Sequence, residues 1–213
     1  MVPMPLRDPQ AVGVKCLRVA LYTDNGVTAA TPDTATAVRR AATALAEAGA
    51  FVREDRPTAL ERAEALYNNL LDADGLAWVR RLLQQAGTTA IHPRLQKRLE
   101  AARPLSVGDF TALLEEVDRC RGALLAFLER YDVILCPVCA FPAPPHDTTL
   151  SIPSYTSVYN MTGWPGAVVR ASTSPEGLPI GVQIVARPWR EDVALAVAQH
   201  LEEALGGWQR PPL

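Results

Sequence analysis

The sequence has little lysine, no dense run of either charge, no long apolar stretch and only four cysteines. Each shortage removes a class of protein. With 21 Lys and Arg against 23 Asp and Glu the formal charge is -2, and neutralising nucleic-acid phosphates or an anionic bilayer takes clustered cations. Neither nucleic acid nor membrane is expected as a partner. The longest apolar stretches, such as Tyr131 to Cys139, stop far short of the ~20 residues that span a bilayer. The opening Met1-Val2-Pro3-Met4-Pro5-Leu6-Arg7-Asp8 places prolines and an acid where a signal peptide carries its apolar core, so a cytoplasmic location is expected. Cys16, Cys120, Cys136 and Cys139 are too few and too irregular for a disulfide framework, and free thiols are the simpler reading.

What is present is the composition of a globular protein. At 213 residues with 48% hydrophobic positions, the chain suffices for a sizeable core, and a single domain over 1–213 is expected. Leu17 to Tyr22 alternates and is stopped by Thr23-Asp24-Asn25-Gly26, a strand followed by turn chemistry. Thr31 and Pro32 supply an N-cap candidate and a first-turn proline, Val38, Ala42, Leu45 and Ala46 share one helical face, and Gly49 is a stop. A strand over Ala50 to Glu54 completes a βαβ unit, whose crossover favours parallel pairing.

From about Thr58 to Arg130 the apolar period is helical, as in Leu60, Ala63, Leu66, Tyr67 and Leu70 and again in Leu113, Leu114, Val117, Leu124 and Leu128. Breaks at Gln85 to His92 and at Arg103 to Ser106 divide it into about three helices. Asp132 to Cys136 reads as a buried parallel strand ended by Pro137, and the proline-rich Pro137 to Pro153 as irregular chain. Ala167 to Ser172 and Ile180 to Ala186 form a hairpin around Ser174-Pro175-Glu176-Gly177, and a last helix runs from about Arg190 to Leu205. The fold class is α/β, with a helical insertion at about 58–130 covering a sheet.

Several motifs invite chemistry, and each has a plainer explanation. Cys136-Pro137-Val138-Cys139 has CxxC spacing but runs into Phe141-Pro142-Ala143-Pro144-Pro145, which cannot open the helix that a redox motif needs. A zinc site needs a second ligand pair, and His92 and His200 sit in unrelated helical contexts. Two buried strand-end thiols are expected, with no metal and no cofactor. His146-Asp147 near Ser151, Ser154 and Ser157 is crowded into one loop, whereas a catalytic triad is assembled from remote residues. Asp72 with Asp74, and Glu115 and Glu116 with Asp118, fall on solvent faces of amphipathic helices. Arg187-Pro188-Trp189-Arg190 joins the last strand to the last helix. Asn160-Met161-Thr162-Gly163-Trp164-Pro165 suits no regular element, since Gly163 and Gly166 permit unusual backbone and Pro165 fixes the chain between them. Such a turn either lines a pocket or only enters the strand.

The order Tyr131-Asp132-Val133-Ile134-Leu135-Cys136-Pro137, Ala143-Pro144-Pro145, Tyr159-Asn160 with Thr162-Gly163-Trp164-Pro165, Gly177-Leu178-Pro179-Ile180-Gly181-Val182-Gln183 and Arg187-Pro188 resembles the C-terminal part of the amidase-signature hydrolases. The likeness is most specific from Tyr131 to Trp208. Over Thr58 to Arg130 it lies in character more than in motif. It implies part of an α/β/α sandwich around a mixed sheet. It also implies an activity, hydrolysis of carboxylic amide C–N bonds through a serine acyl-enzyme, with a lysine and a bridging serine passing the proton and backbone N–H groups holding the oxyanion.

Those catalytic residues are missing from the chain. Lys15 precedes the first strand, Lys97 lies among Arg94, Arg98 and Glu100, and no Gly-Ser-Ser run occurs. The resemblance therefore implies no catalytic residue here but a pocket wall, with Tyr159, Asn160, Thr162, Gly163 and Trp164 as lining candidates and Gln183 a further polar one. The chain is expected to be inactive alone, because losing a serine hydrolase's nucleophile or base costs on the order of 10⁶ in turnover. The expected partner is a complementary N-terminal amidase segment, or a second copy by self-association. A small amide would then bind only after complementation. If that segment carries the strands beside Leu17–Tyr22 and Asp132–Cys136, those two strands are expected to expose their edges. The other reading is a noncatalytic structural or interaction protein, the remnant of a disrupted amidase gene.

Overall fold

A Schellman turn shows how closely local sequence sets the first crossover. Thr31 begins helix α1 (Pro32–Glu47) with no side-chain cap, and Pro32 stands where a backbone N–H has no partner to lose. At the other end Gly49 takes φ 91°, its N–H meets Ala46 O at 2.9 Å and the Ala50 N–H meets Leu45 O at 3.0 Å. Glycine is required there because a left-handed backbone is strained for other residues. The turn delivers the chain from β1 (Arg18–Leu21) through α1 into β2 (Phe51–Glu54), which runs parallel to β1.

The computed structural model describes residues 6–145 and 155–210. After β2 come α2 (Leu60–Asp72), α3 (Ala77–Gln85), α4 (Pro93–Ala101), α5 (Val107–Leu128), β3 (Val133–Pro137), the short α6 (Ser157–Thr162), β4 (Gly166–Thr173), β5 (Pro179–Ala186) and α7 (Glu191–Leu205). The five strands form one mixed sheet in the order β2-β1-β3-β5-β4, with β1 parallel to both neighbours and β5 antiparallel to both of its own. The fold is α/β.

The chain divides into two compact units, Met1–Glu61 with Ala123–Leu213, and Arg62–Gly122. In the first unit the central strands β1, β3 and β5 are buried on both sides. Val19, Leu21, Val133, Leu135, Val182 and Ile184 point to one face and pack with Val38, Ala41 and Leu45 of α1 and Val193, Val197 and Leu201 of α7. Alternation sends Ala20, Ile134, Cys136, Gln183 and Val185 to the other face, and these are buried as well. Asp132 clasps the start of the sheet: its carboxylate takes the Arg18 N–H at 3.0 Å, Nε at 3.1 Å and Nη2 at 2.9 Å. Arg187 donates through Nε to Tyr131 O at 2.9 Å and through Nη2 to Glu129 O at 3.3 Å, so the Arg187–Arg190 junction is tied to the end of α5. Burial is the largest influence on Asp132 and opposes its charge, yet the hydrogen bonds from Arg18 together with both arginine charges hold its pKa below the usual value.

The sheet corrects one expectation. The strands at Leu17–Tyr22 and Asp132–Cys136 are not edges, because β1 and β3 pair with each other and β2 and β5 flank them. Among the described residues the outer strands of the sheet are β2 and β4.

The second unit is helical and has one more helix than expected. Gly75 at φ 65° and Leu76 at φ 59° reverse the backbone after α2, and Asp74 accepts the Ala77 and Trp78 N–H groups at 3.1 and 2.9 Å to start α3. Asp74 is thus a cap in a break, not a carboxylate on a helix face. A Cβ on Gly75 would stand 2.8 Å from Pro104 N, and Leu105 N–H bonds Ala73 O at 2.9 Å. The break therefore crosses the 103–105 segment closely. Asp72 pairs with Arg98, while Glu115, Glu116 and Asp118 are exposed on α5. Neither α3 nor α4 buries any residue.

Candidate functional site

In open α/β sheets, ligands bind beyond the carboxyl ends of parallel strands, where neighbouring connections leave in opposite directions. Here that place lies between β1, whose crossover goes outward to β2, and β3 on its other side. Tyr22 follows β1 directly and Cys136 occupies the end of β3. Gln183 stands opposite Cys136 on β5.

These side chains meet α6 in one buried polar cluster. The hydroxyls of Tyr22 and Tyr159 are 2.8 Å apart. Gln183 Nε2 donates to Cys136 Sγ at 3.4 Å and to Tyr155 O at 3.5 Å. Tyr155 stacks on Tyr22 with ring centroids 6.1 Å apart, and its hydroxyl donates to the carbonyls of Thr23 and Thr28. Trp164 closes the apolar side, its ring 6.4 Å from that of Tyr159. Burying so many polar groups is tolerable only because each has a partner.

The electrostatics make the cluster chemically quiet near neutrality. Burial, above all, raises both Tyr22 and Tyr159 well above the ordinary phenol value, and proximity to Cys136 pushes the same way. Burial likewise pushes the Cys136 thiol up to about 11, against hydrogen bonds that favour its thiolate. A neutral buried thiol is a poor nucleophile, since the thiolate is the reactive form. The cluster can shape and hydrogen-bond a neighbour but supplies no ready base. Cys139 is half-buried, not buried, because it lies beyond the end of β3; none of the four cysteines is in a disulfide.

Of the six lining candidates, Tyr159, Trp164 and Gln183 come together in this cluster. Asn160 and Gly163 are exposed, and Thr162 is half-buried with its hydroxyl donated to Tyr159 O at 3.2 Å. The expectation of irregular chain from Asn160 is corrected: Asn160, Met161 and Thr162 are helical, and Gly163 ends α6 at φ 67° with its N–H on Tyr159 O at 2.8 Å. A short helix capped by glycine has too few residues to show a period. Tyr22, Tyr155 and Cys136 were not foreseen as members. The parity of Tyr22 and Cys136 on their strands was visible, but the register that aligns them was not.

Beside Tyr22 lies a cleft of about 260 Å³ lined by Thr23, Asp24, Glu54, Asp55 and Arg56. Its acids serve the fold. Asp24 accepts the Gly26 N–H at 2.7 Å, and Asp55 receives the Tyr131 hydroxyl at 2.7 Å and Arg130 Nη1 at 3.0 Å. Lys15 and Lys97 are both exposed. Among the described residues no group of three or more His, Cys, Asp or Glu is placed to hold a metal, and no helix is long and apolar enough to cross a membrane. His146, Asp147, Ser151 and Ser154 lie outside the described residues.

Residues 3–195 match the Amidase family, and the chain belongs to it. It is similar to the indoleacetamide hydrolase of Bradyrhizobium diazoefficiens, 28% identical over 96% of this chain and 41% of that protein. Over a shorter stretch it is 37% identical to human fatty-acid amide hydrolase 2, covering 43% of this chain and 18% of that one. Among solved structures, 6-aminohexanoate cyclic dimer hydrolase complexed with substrate superposes with a TM-score of 0.78 at 28% identity, over 99% of this chain and 50% of that one. This chain thus spans half or less of each of these relatives.

Proposed function

We propose that these residues form the scaffold and one pocket wall of an amide-hydrolysing enzyme, whose nucleophile and base come from residues outside the 213. The wall is Tyr159, Asn160, Thr162, Gly163, Trp164 and Gln183, and the meeting of Tyr159, Trp164 and Gln183 in the buried cluster beside Tyr22 and Cys136 supports it. The observation that carries this reading is the contrast within one cluster: membership of a hydrolytic family alongside a site whose titratable groups are held neutral by burial. The exposed positions of both lysines and the lack of a Gly-Ser-Ser run support it.

The names of the relatives, which span indoleacetamide, fatty-acid amides and a cyclic amide dimer, point to carboxylic amides as the substrate class. The test mixes or co-expresses this chain with the part of 6-aminohexanoate-cyclic-dimer hydrolase that it does not match, and assays hydrolysis of indoleacetamide and of the cyclic dimer. Turnover in the mixture and none in either part supports complementation. No gain over the separate parts removes it. The same lack of catalytic residues is what a noncatalytic remnant would show, and that alternative is separated by melting the mixture: a complemented pocket gains stability from a bound amide, a remnant does not.

A further inference from the structure

The turn after β1 carries a reactive dipeptide that the pocket wall does not use. Of the four asparagines, Asn25, Asn68, Asn69 and Asn160, only Asn25 is followed by glycine. A glycine there has no side chain to keep its backbone nitrogen from the preceding amide carbon, so an Asn-Gly pair is prone to lose ammonia. Asn25 is 6% exposed, and Gly26 takes φ 85° at the surface.

Both reacting groups are held. The Gly26 N–H donates to Asp24 Oδ1 at 2.7 Å, while Asn25 Oδ1 accepts the Val27 and Thr28 N–H groups at 3.0 and 2.8 Å. Cyclisation needs the Gly26 nitrogen to shed its proton and the Asn25 side chain to swing back onto it, so each of these bonds opposes it. The ends of the turn are shut as well. The Ala30 N–H meets Thr23 O at 2.8 Å, and the Tyr155 hydroxyl bridges the carbonyls of Thr23 and Thr28. Behind the turn there is no slack: a Cβ on Gly26 would stand 2.5 Å from Glu61 Cγ and closer still to Arg56 Nη1.

We infer that Asn25 is a deamidation site gated by this turn: closed, the turn preserves the amide, and open, it lets the chain change irreversibly. The Gly26 nitrogen gives its proton to water or hydroxide and bonds to Asn25 Cγ. The Cγ–Nδ2 bond breaks, and the leaving nitrogen takes a proton from water to depart as ammonia. Water then opens the cyclic imide at either carbonyl. Opening at Cγ leaves aspartate, and opening at the main-chain carbonyl leaves isoaspartate, whose main chain runs through an added carbon. That carbon pushes Gly26 toward Arg56 and Glu61, where a Cβ already has no room, so the turn cannot close again around Tyr155. Gln183 Nε2 bonds both Tyr155 O and Cys136 Sγ, and loss of the turn therefore reaches the buried thiol. The chain in this way records the time its turn has spent open.

Peptide mapping by mass spectrometry in heavy-oxygen water tests it, because imide hydrolysis takes one oxygen from solvent. The full chain is incubated at one pH, folded and in urea. Asn25 should convert at least about a hundredfold more slowly in the folded chain, a ratio set by how rarely the turn opens. Tyr155→Phe removes the latch, and Asp24→Ala removes the hold on Gly26. With circular dichroism unchanged, both should speed folded-state conversion, Tyr155→Phe by at least about tenfold. Chain carrying isoaspartate at position 25 should expose Cys136 to a thiol reagent at least about tenfold faster than unconverted chain. Equal rates folded and in urea, conversion in urea first at Asn68, Asn69 or Asn160, or an unchanged rate in both variants would overturn the gate. Equal Cys136 labelling in converted and unconverted chain would overturn its reach to the cluster.

Discussion

The α/β unit and the helical unit are stabilised by different means. In the first, β3 is buried along its whole length, and Leu45, Val197 and Leu201 have no exposed surface. In the second, α3 and α4 bury nothing, and order comes from caps and crossing points: Asp74 on α3, the Ser106 hydroxyl taking the Asp109 N–H at 3.1 Å on α5, and Gly75 against Pro104. Its buried apolar residues are few, Leu66, Leu76, Leu113 and Val117 among them, whereas Trp78, Leu105, Val107 and Phe110 line a cleft of about 520 Å³ while 43, 41, 81 and 38% exposed. Hydrophobic burial dominates where a sheet can be covered on both faces, and where it cannot, local hydrogen bonds add to a smaller buried set.

Truncating a core side chain is the sharpest way to break this contrast. Leu45→Ala or Leu135→Ala should cost about 3 kcal/mol in chemical denaturation, whereas Leu82→Ala, at a residue 52% exposed, should cost under about 0.5 kcal/mol. Equal losses would contradict the division. Next comes Gly75→Ala, strained by its positive φ and by backbone atoms of Arg103 and Pro104 within 3.1 Å. It should cost about 2 kcal/mol, read as faster hydrogen exchange in 62–122 with the sheet unchanged. Gly163→Ala shares the positive φ but meets nothing within 4 Å, so its cost should be about 1 kcal/mol.

The pH limits follow from the α/β unit. Asp132 has its folded pKa lowered, so its contribution is full above the unfolded carboxylate value of about 4 and is lost as pH falls through the folded value. Arg18→Ala should flatten that acid limb. Tyr22 and Tyr159 have theirs raised, so their contribution is full below the unfolded phenol value of about 10 and is lost as pH climbs toward the folded values. Tyr159→Phe should flatten the alkaline limb while costing about 1 kcal/mol at pH 7, and an unchanged limb would show that the pair does not titrate as buried phenols. The smallest effect is chemical: at pH 7 a thiol reagent should modify exposed Cys16 well before Cys136.

The same contrast governs what the sequence revealed. Strands of the α/β unit were legible because alternation and turn chemistry coincide at Leu17–Gly26 and again around Ser174–Gly177. The helical unit showed its period but not its count, because the turn signal Asp74-Gly75 lies inside an otherwise helical period and its acids fit a solvent-facing helix as well as a break. Neighbours were the hardest to foresee. Nothing local states that β3 lies between β1 and β5, and so the tyrosine and thiol cluster, and the true edges, emerged only from the register. Gly163 was read correctly as conformationally special while the helix it ends was not.

The central claim is that this chain walls a site whose nucleophile lies elsewhere. A serine-directed acylating probe, applied to the 213-residue chain mixed with the unmatched part of 6-aminohexanoate-cyclic-dimer hydrolase, tests it most directly by mass spectrometry of each polypeptide. Stoichiometric label on the added segment alone, blocked by amide substrate, is the expected result. Stoichiometric, substrate-protected label on any serine of this chain would contradict the account.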